Sequence, residues 1–322
     1  MAEFASIAGL AQGLHPAVRA VVLEALTRGV GEPLSTNVEY KTRFNVGAGT
    51  MQRALDLLRD RGALTVVNRG HLGRRIERLD ISQAWQAAGL ASVRLLLPLG
   101  GPIEIDVLAD VLANELTHVG VPHTVHHLRG GAGRLVSVRA GHHDLAVVST
   151  GSWSGARVIS TLHDTEVVRK LAPGTYYAPQ RLVVVTRERM TFPDIRRVAI
   201  DRQSSDHVEL TQAEFPESEG FEYVDAPFPS VPAWVLRGRV DAGIWHRTTS
   251  VIPLDLAGID LAELQRPASK KAWNTLSGAA LIGTKKRPEL ASVMAALRLD
   301  RLWDDQHAAL TAETDDSLDG LG

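Results

Sequence analysis

The sequence predicts an α/β chain in two parts. A small N-terminal module of three helices and a β-hairpin precedes a larger domain of alternating strands and helices folded as two lobes. Three observations predict this. Between Gly49 and Arg61, Met51, Ala54, Leu55 and Leu58 keep the i, i+3, i+4, i+7 spacing of a helix with one buried face. Directly after Gly62 the period shortens to that of two short strands. From Ser92 onward, β-branched runs alternate with helical patterns, as in sheets joined by crossover helices.

The first helix is expected over Pro16–Arg28, with Pro in its first turn and Gly29 just past its end. Val18, Val21, Val22, Ala25 and Leu26 form its apolar stripe. The second begins at Thr36-x-x-Glu39, a capping box in which hydroxyl and carboxylate each satisfy an orphan N–H. Tyr40 and Phe44, four apart, are its expected buried stripe. Asn45, which tolerates the left-handed conformation, opens the turn to the third helix, and Gly62 closes that helix. The outer face of the third helix carries Thr50, Gln52, Arg53, Asp56 and Arg59. Ala63–Val67 and Arg74–Arg78 then pair around Asn68-Arg69-Gly70, with Arg69, His71, Arg74 and Arg75 near the tip.

These residues describe a winged helix-turn-helix. Leu34-Ser35-Thr36-x-x-Glu39-Tyr40, Phe44-Asn45-Val46-Gly47-x-x-Thr50-Met51-x-x-Ala54-Leu55 and Gly62 resemble the winged helix of GntR-type regulators. The departure is at the start of the third helix, where Gly47, Ala48 and Gly49 replace the polar or basic residues usual there. Base reading is therefore expected from Thr50, Gln52 and Arg53; arginine suits guanine and glutamine suits adenine. Lys41, Arg43, Arg69, His71 and Arg74 are the expected phosphate contacts. Residues 1–80 hold 11 Lys/Arg against 8 Asp/Glu, and the remainder 24 against 29. That asymmetry agrees with one basic end and is too small to establish it. A purely structural or protein-docking module is the alternative.

The 322 residues allow two domains. No apolar run approaches the ~20 residues of a membrane span. The Met-Ala-Glu-Phe-Ala-Ser start has no secretory pattern, so a cytoplasmic location is expected. With no cysteine, disulfide, thiol and Cys-ligated metal chemistry are excluded. The histidines His123, His126, His127, His142, His143 and His163 are spaced poorly for one metal, and neither metal nor cofactor is expected.

After a linker over 81–91, with one or two helical turns expected around Trp85, residues 92–310 are expected to form the two-lobed domain. Strands are expected at Val93–Leu97, Val121–Leu128, Asp144–Ser149, Arg181–Thr186, Arg197–Asp201, Glu222–Asp225, Val240–Trp245 and Gly278–Gly283. The helices between them include Gly133–Ala140, Ser204–Phe215, Ser230–Arg237 and a last one over Pro288–Gln306. Lobe I is assigned to 92–186 and 250–310, lobe II to 187–249, with crossings near Val183–Arg187 and Arg247–Pro253; 311–322 is expected to be a flexible tail. Two lobes crossed twice is the plan of a type 2 periplasmic-binding-protein-like domain.

Gly174-Thr175-Tyr176-Tyr177-Ala178-Pro179, Ser204-Ser205-Asp206-His207 and Val240-Asp241-Ala242-Gly243-Ile244-Trp245, behind a winged helix, resemble the YhfZ family of transcriptional regulators. The resemblance implies a DNA-binding regulator with a solute-binding-like effector domain, and it supplies no ligand. Ligand contacts are expected at strand ends and helix starts: Gly100 and Gly101, Ser149 and Thr150, Tyr176, Ser204 and Ser205, Trp245 and His246. Each has a plain structural alternative, such as a turn, an N-cap or packing. Ser204, Asp206 and His207 are too close in sequence for a hydrolytic triad, and no catalytic residues are expected.

The expected whole is a homodimer whose winged helices read half-sites of a double-stranded operator. A small molecule, expected to be anionic, would close the cleft and change that binding. One alternative is an enzyme on the same two-lobed fold acting on a small anionic metabolite. Another is a DNA-binding protein whose large domain assembles partners.

Overall fold

The computed structural model describes residues 14–68, 70, 73–154, 164–249 and 256–319. Contacts divide the chain into two compact units. The first comprises Met1–Arg94, Leu112–Thr124 and Lys285–Arg298; the second comprises Leu95–Val111, Val125–Thr284 and Leu299–Gly322.

In the first unit, helix α1 (Leu14–Arg28) buries Ala17, Val18, Val21, Val22, Ala25 and Leu26. It stops at Gly29, whose φ of 87° suits only glycine well. Helix α2 (Asn37–Phe44) opens on the expected capping box. The Thr36 N–H donates to Glu39 Oε2 at 2.6 Å, and the Glu39 N–H donates to Thr36 Oγ1 at 3.3 Å. Asn45 ends it at φ 52°. Tyr40 is buried, but Phe44 is 42% exposed under the Arg43 guanidinium, so α2 buries one aromatic residue and not two.

Helix α3 (Ala48–Asp60) buries Met51, Ala54, Leu55 and Leu58 and packs on α1 and α2. Strands β1 (Leu64–Asn68) and β2 (Arg74–Leu79) form the antiparallel hairpin, and Pro33 bridges to Arg75 beside it. The linker carries a short helix around Trp85, as expected. Asp80 caps α4 (Ile81–Ala87) by accepting the Gln83 N–H at 2.9 Å. Trp85 is fully buried there, beneath Arg287, because a bare connector would leave that indole in water.

The later strands are β3 (Val93–Leu97), β4 (His123–His127), β5 (Leu145–Ser149), β6 (Thr165–Lys170), β7 (Leu182–Arg187), β8 (Arg197–Ile200), β9 (Glu222–Asp225), β10 (Ala242–His246), β11 (Ile259–Glu263) and β12 (Ala279–Thr284). Between them lie α5 (Ile103–Val119), α6 (Gly131–Arg139), α7 (Thr150–Ser154), α8 (Ser205–Glu214), α9 (Val231–Leu236) and α10 (Pro267–Leu276); α11 (Leu290–Ala296) and α12 (Leu302–Asp319) follow.

Two five-stranded sheets result, ordered β4-β3-β5-β12-β6 for lobe I and β11-β7-β10-β8-β9 for lobe II. Both are mixed. In lobe I, β3 and β5 are parallel while β12 runs antiparallel to β5 and β6. In lobe II, β8 is parallel to β9 and β10 while β7 runs antiparallel to β10 and β11. The lobe II core gathers Val183, Val185, Val231, Val235 and Trp245; the lobe I core gathers Leu135, Val148, Ala280 and Ile282.

The lobe boundaries differ from expectation. Strand β7 belongs to lobe II, paired Ile244 to Val184, and so does β11, paired Leu261 to Val185. The crossings therefore fall between β6 and β7 and between β11 and β12. Of the expected second crossing, 250–253 lie outside the described residues.

The last expected helix is two. Leu297 and Leu299 are both buried, and two buried side chains at i, i+2 require the extended backbone seen at Leu297. The start of the expected flexible tail is helical, and Glu313 pairs with Arg181 at 2.6 Å.

Candidate functional site

On the winged helix, Gln52 and Arg53 are exposed and Thr50 is partly so, while the opposite face of α3 is buried. Their contacts are local: Gln52 donates to Asp56 at 3.2 Å, and Arg53 donates to Thr50 Oγ1 at 3.4 Å. The face therefore stays available. Lys41 and Arg43 are exposed on α2; Arg74 donates to Asn37 Oδ1 at 3.0 Å. Arg69 and His71 lie outside the described residues. Gly47 begins α3 with no side-chain cap, and Gly47, Ala48 and Gly49 are exposed.

The second site is a cavity of about 150 Å³ between lobes I and II, both within the second unit. Of the expected ligand residues, Gly100, Tyr176, Ser204, Trp245 and His246 line it. The rest have other partners. Gly101 sits at φ 117°, and its N–H donates to both oxygens of Asp106 at 3.1 Å. A carboxylate from α5 thus fills the nest expected to hold a ligand. Ser149 is buried and donates to Ser152 Oγ at 3.0 Å; Thr150 donates to the Thr275 carbonyl at 2.6 Å. Ser205 is exposed at the start of α8, while Ser204 accepts the His207 N–H as N-cap.

The charged groups of the cavity were not singled out from the sequence. Arg134, in the first turn of α6, is 2% exposed. Its Nε donates to the Val147 carbonyl at 2.7 Å, Nη1 to the Leu128 carbonyl at 2.6 Å and Nη2 to Tyr176 Oη at 2.7 Å. Asp206, in the first turn of α8, is 3% exposed. It accepts Ser152 Oγ at 2.9 Å and Tyr177 Oη at 3.0 Å. Burial raises the pKa of both tyrosines, and Asp206 raises that of Tyr177 further, so both remain O–H donors. Because Tyr176 Oη accepts from Arg134, its own proton is left for an acceptor in the cavity.

Arg129, Asp201 and Phe228 complete the wall. Arg129 of lobe I reaches Gln203 Oε1 of lobe II at 2.6 Å and Asp201 at 3.6 Å. Behind His246, its Nε2 meets the fully buried Glu104 at 2.9 Å. Burial alone would raise Glu104; the charge and hydrogen bond of His246 and the Ala178 N–H outweigh it and hold the carboxyl below its usual range.

Ser204, Asp206 and His207 do not form a relay. His207 Nδ1 accepts the Asp201 N–H, and Nε2 faces the Ile244 carbonyl. Elsewhere, His126 Nδ1 and His143 Nε2 meet at 2.8 Å, while His123 and His127 bond backbone carbonyls. Among the described residues no group of three or more His, Asp or Glu is placed to hold a metal.

A profile of the YhfZ C-terminal domain matches residues 80–317, more than half of the chain, and a helix-turn-helix domain profile matches residues 29–76. The chain is 27% identical over 216 residues to a protein named YhfZ, described as uncharacterized, from Escherichia coli (strain K12). That span covers 67% of this chain and 69% of the relative. Among solved structures it is similar to YhfZ from Shigella flexneri, with TM-score 0.51 and 22% identity, over 69% of this chain and 91% of that one. It is also similar to the alkanesulfonate-binding protein SsuA from Xanthomonas axonopodis pv. citri bound to MOPS. There the TM-score is 0.50 and the identity 16%, over 70% of this chain and 79% of that one. At these identities the two structures support the fold alone.

Proposed function

The chain belongs to the YhfZ family, and on that footing we propose that it is a DNA-binding transcriptional regulator controlled by a small molecule held between lobes I and II. The observation that carries the reading is α3: one face buried, the other presenting Gln52 and Arg53. In this reading Thr50, Gln52 and Arg53 meet base edges, and Lys41, Arg43, Arg69, His71 and Arg74 meet phosphates. The domain boundaries follow from that division of labour: duplex reading by residues 1–80 and effector binding by the two-lobed part. Two copies would bind a two-fold symmetric operator, in the cytoplasm where the duplex is. Among the described residues no helix is long and apolar enough to cross a membrane.

The cleft supports the second half of the reading. It is walled by aromatic side chains and a few convergent polar groups, the composition of a small-molecule site. A ligand changes DNA affinity only if it binds the DNA-competent and incompetent states unequally. The test is selection of sequences from a random duplex pool by the full chain. Enrichment of a motif with two related half-sites is the expected result. Binding with no sequence preference, governed by salt alone, would remove the operator-reading role.

A further inference from the structure

Two buried charges face the cavity, and among the described residues neither has an ion-pair partner. Arg134 spends its hydrogen bonds on two carbonyls and the neutral Tyr176 hydroxyl. It also stands in the first turn of α6, the end of a helix where a cation is disfavoured and an anion welcome. Two of its five N–H donors remain unspent. Asp206 receives only hydroxyls, from Ser152, Ser205 and Tyr177. A buried charge without a direct ion-pair partner is costly, and the cost is relieved by a bound group of opposite sign.

The two sit close together on opposite walls. Ser152 Oγ is 2.9 Å from Asp206, and Tyr176 and Tyr177, each bonded to one of the charges, have ring centroids 4.7 Å apart. The remaining charged pair of the wall, Arg129 and Asp201, already faces one another.

Resting on the reading of this cleft as the effector site, we propose that the effector is a small zwitterion of amino-acid type, its anionic group on Arg134 and its cationic group on Asp206. The Tyr176 proton and the α6 N-terminal amides at Gly131 and Ala132 complete the anion's shell. The cationic group lies in the part of the cavity lined by Tyr177 beside Asp206. A cavity near 150 Å³ takes a ligand of benzene's size or somewhat larger, which suits a single amino acid. A simple dianion fits less well, because its second charge would meet Asp206.

The test is a thermal-shift and calorimetric series on the full chain. The probes are the common α-amino acids and an aminoalkanesulfonate, the N-acetyl, 2-oxo-acid and decarboxylated analogue of each amino acid that binds, and succinate and phosphate. At least one zwitterion is expected to bind, with each analogue lacking a pole weaker by at least about 30-fold. In Asp206→Asn the preference for the amino acid over its 2-oxo acid is expected to fall to within about threefold, while carboxylate binding persists. If that variant does not fold, the analogue series on the unaltered chain decides alone. A 2-oxo acid, succinate or phosphate binding as tightly as any zwitterion overturns the proposal and leaves the effector-site reading standing. No binding by any probe, charged or neutral, counts against both.

Discussion

His207 is fully buried, and its bonds fix the neutral ring. The Asp201 N–H donates to Nδ1 at 2.8 Å, so the proton sits on Nε2 and points at the Ile244 carbonyl 3.0 Å away. Burial is the largest influence and pushes its pKa down from 6.5 to about 4, against the opposing pull of that carbonyl and of Asp201. The unfolded chain therefore takes up this proton at a higher pH than the folded one. The contribution to stability is complete above about pH 6.5 and is lost as pH falls toward 4, by up to about 1.4 kcal/mol per pH unit. Melting curves between pH 7 and 5 should show this slope, and His207→Gln should flatten it; equal slopes would mean that another group titrates. At the same scale, Arg53→Ala is expected to weaken operator binding by about 1–3 kcal/mol and relax preference at one base pair. Lys41→Ala should weaken all sequences alike and lower the salt slope by about one. An unchanged footprint and affinity for Arg53→Ala would reject its assignment. The local residues of α3 could be read because helical periodicity alone fixes which face is outward. Arg134 could not. Between Gly133 and Leu135 on a short helix it looks like a solvated cation, and only the carbonyls of Leu128 and Val147, brought in by the fold, collect it. Asp206 reads as one member of a Ser-Asp-His string until Ser152 and Tyr177 arrive from distant segments.

Elements whose signals are contained in their own sequence were legible from it. The α2 capping box is complete within four residues, and its two bonds are the ones the sequence predicts. Thr36→Ala removes the Oγ1 acceptor, at about 1 kcal/mol for a lost N-cap. Amide exchange at Val38, Glu39 and Tyr40 should then rise about fivefold while amides of β5 and β10 hold steady. Thr36→Ser should restore protection, and if it does not, the hydroxyl is not the cap. Strand membership is another matter. The run Leu182–Arg187 is plainly a strand, but nothing in its β-branched residues says which sheet takes it. It pairs antiparallel with β10, from nearly sixty residues later, and with β11, a five-residue strand in which only Ile259 is buried. Helix α10 was missed for a related reason: its buried face is only Ser269, Ala272 and Leu276, two of them small, and it packs on α7 and α8.

At the scale of the two-lobed unit, polar side chains cross the cleft. Arg129 reaches Gln203 and Asp201, Ser152 reaches Asp206, and Glu104 meets His246. These must offset the cost of enclosing Arg134 and Asp206 without a direct ion pair, so the closed form without ligand is expected to be only narrowly favoured. Arg129 makes two of the crossing contacts and is itself partly exposed, so its removal leaves no buried charge behind except Asp201, which keeps the N–H groups of Gln203 and Phe228. Arg129→Ala is therefore expected to open the cleft without unfolding either lobe. A loss of about 1–2 kcal/mol shifts the open-to-closed ratio by roughly 5- to 30-fold. Exchange of amides in the first turns of α6 and α8 should rise by that factor, and those of β5, β12, β8 and β10, which lie in the sheet interiors, should not. An amide map identical to that of the unaltered chain would show that Arg129 does not hold the lobes together. A rise that extends into both sheets would show that it is a folding contact and not a latch.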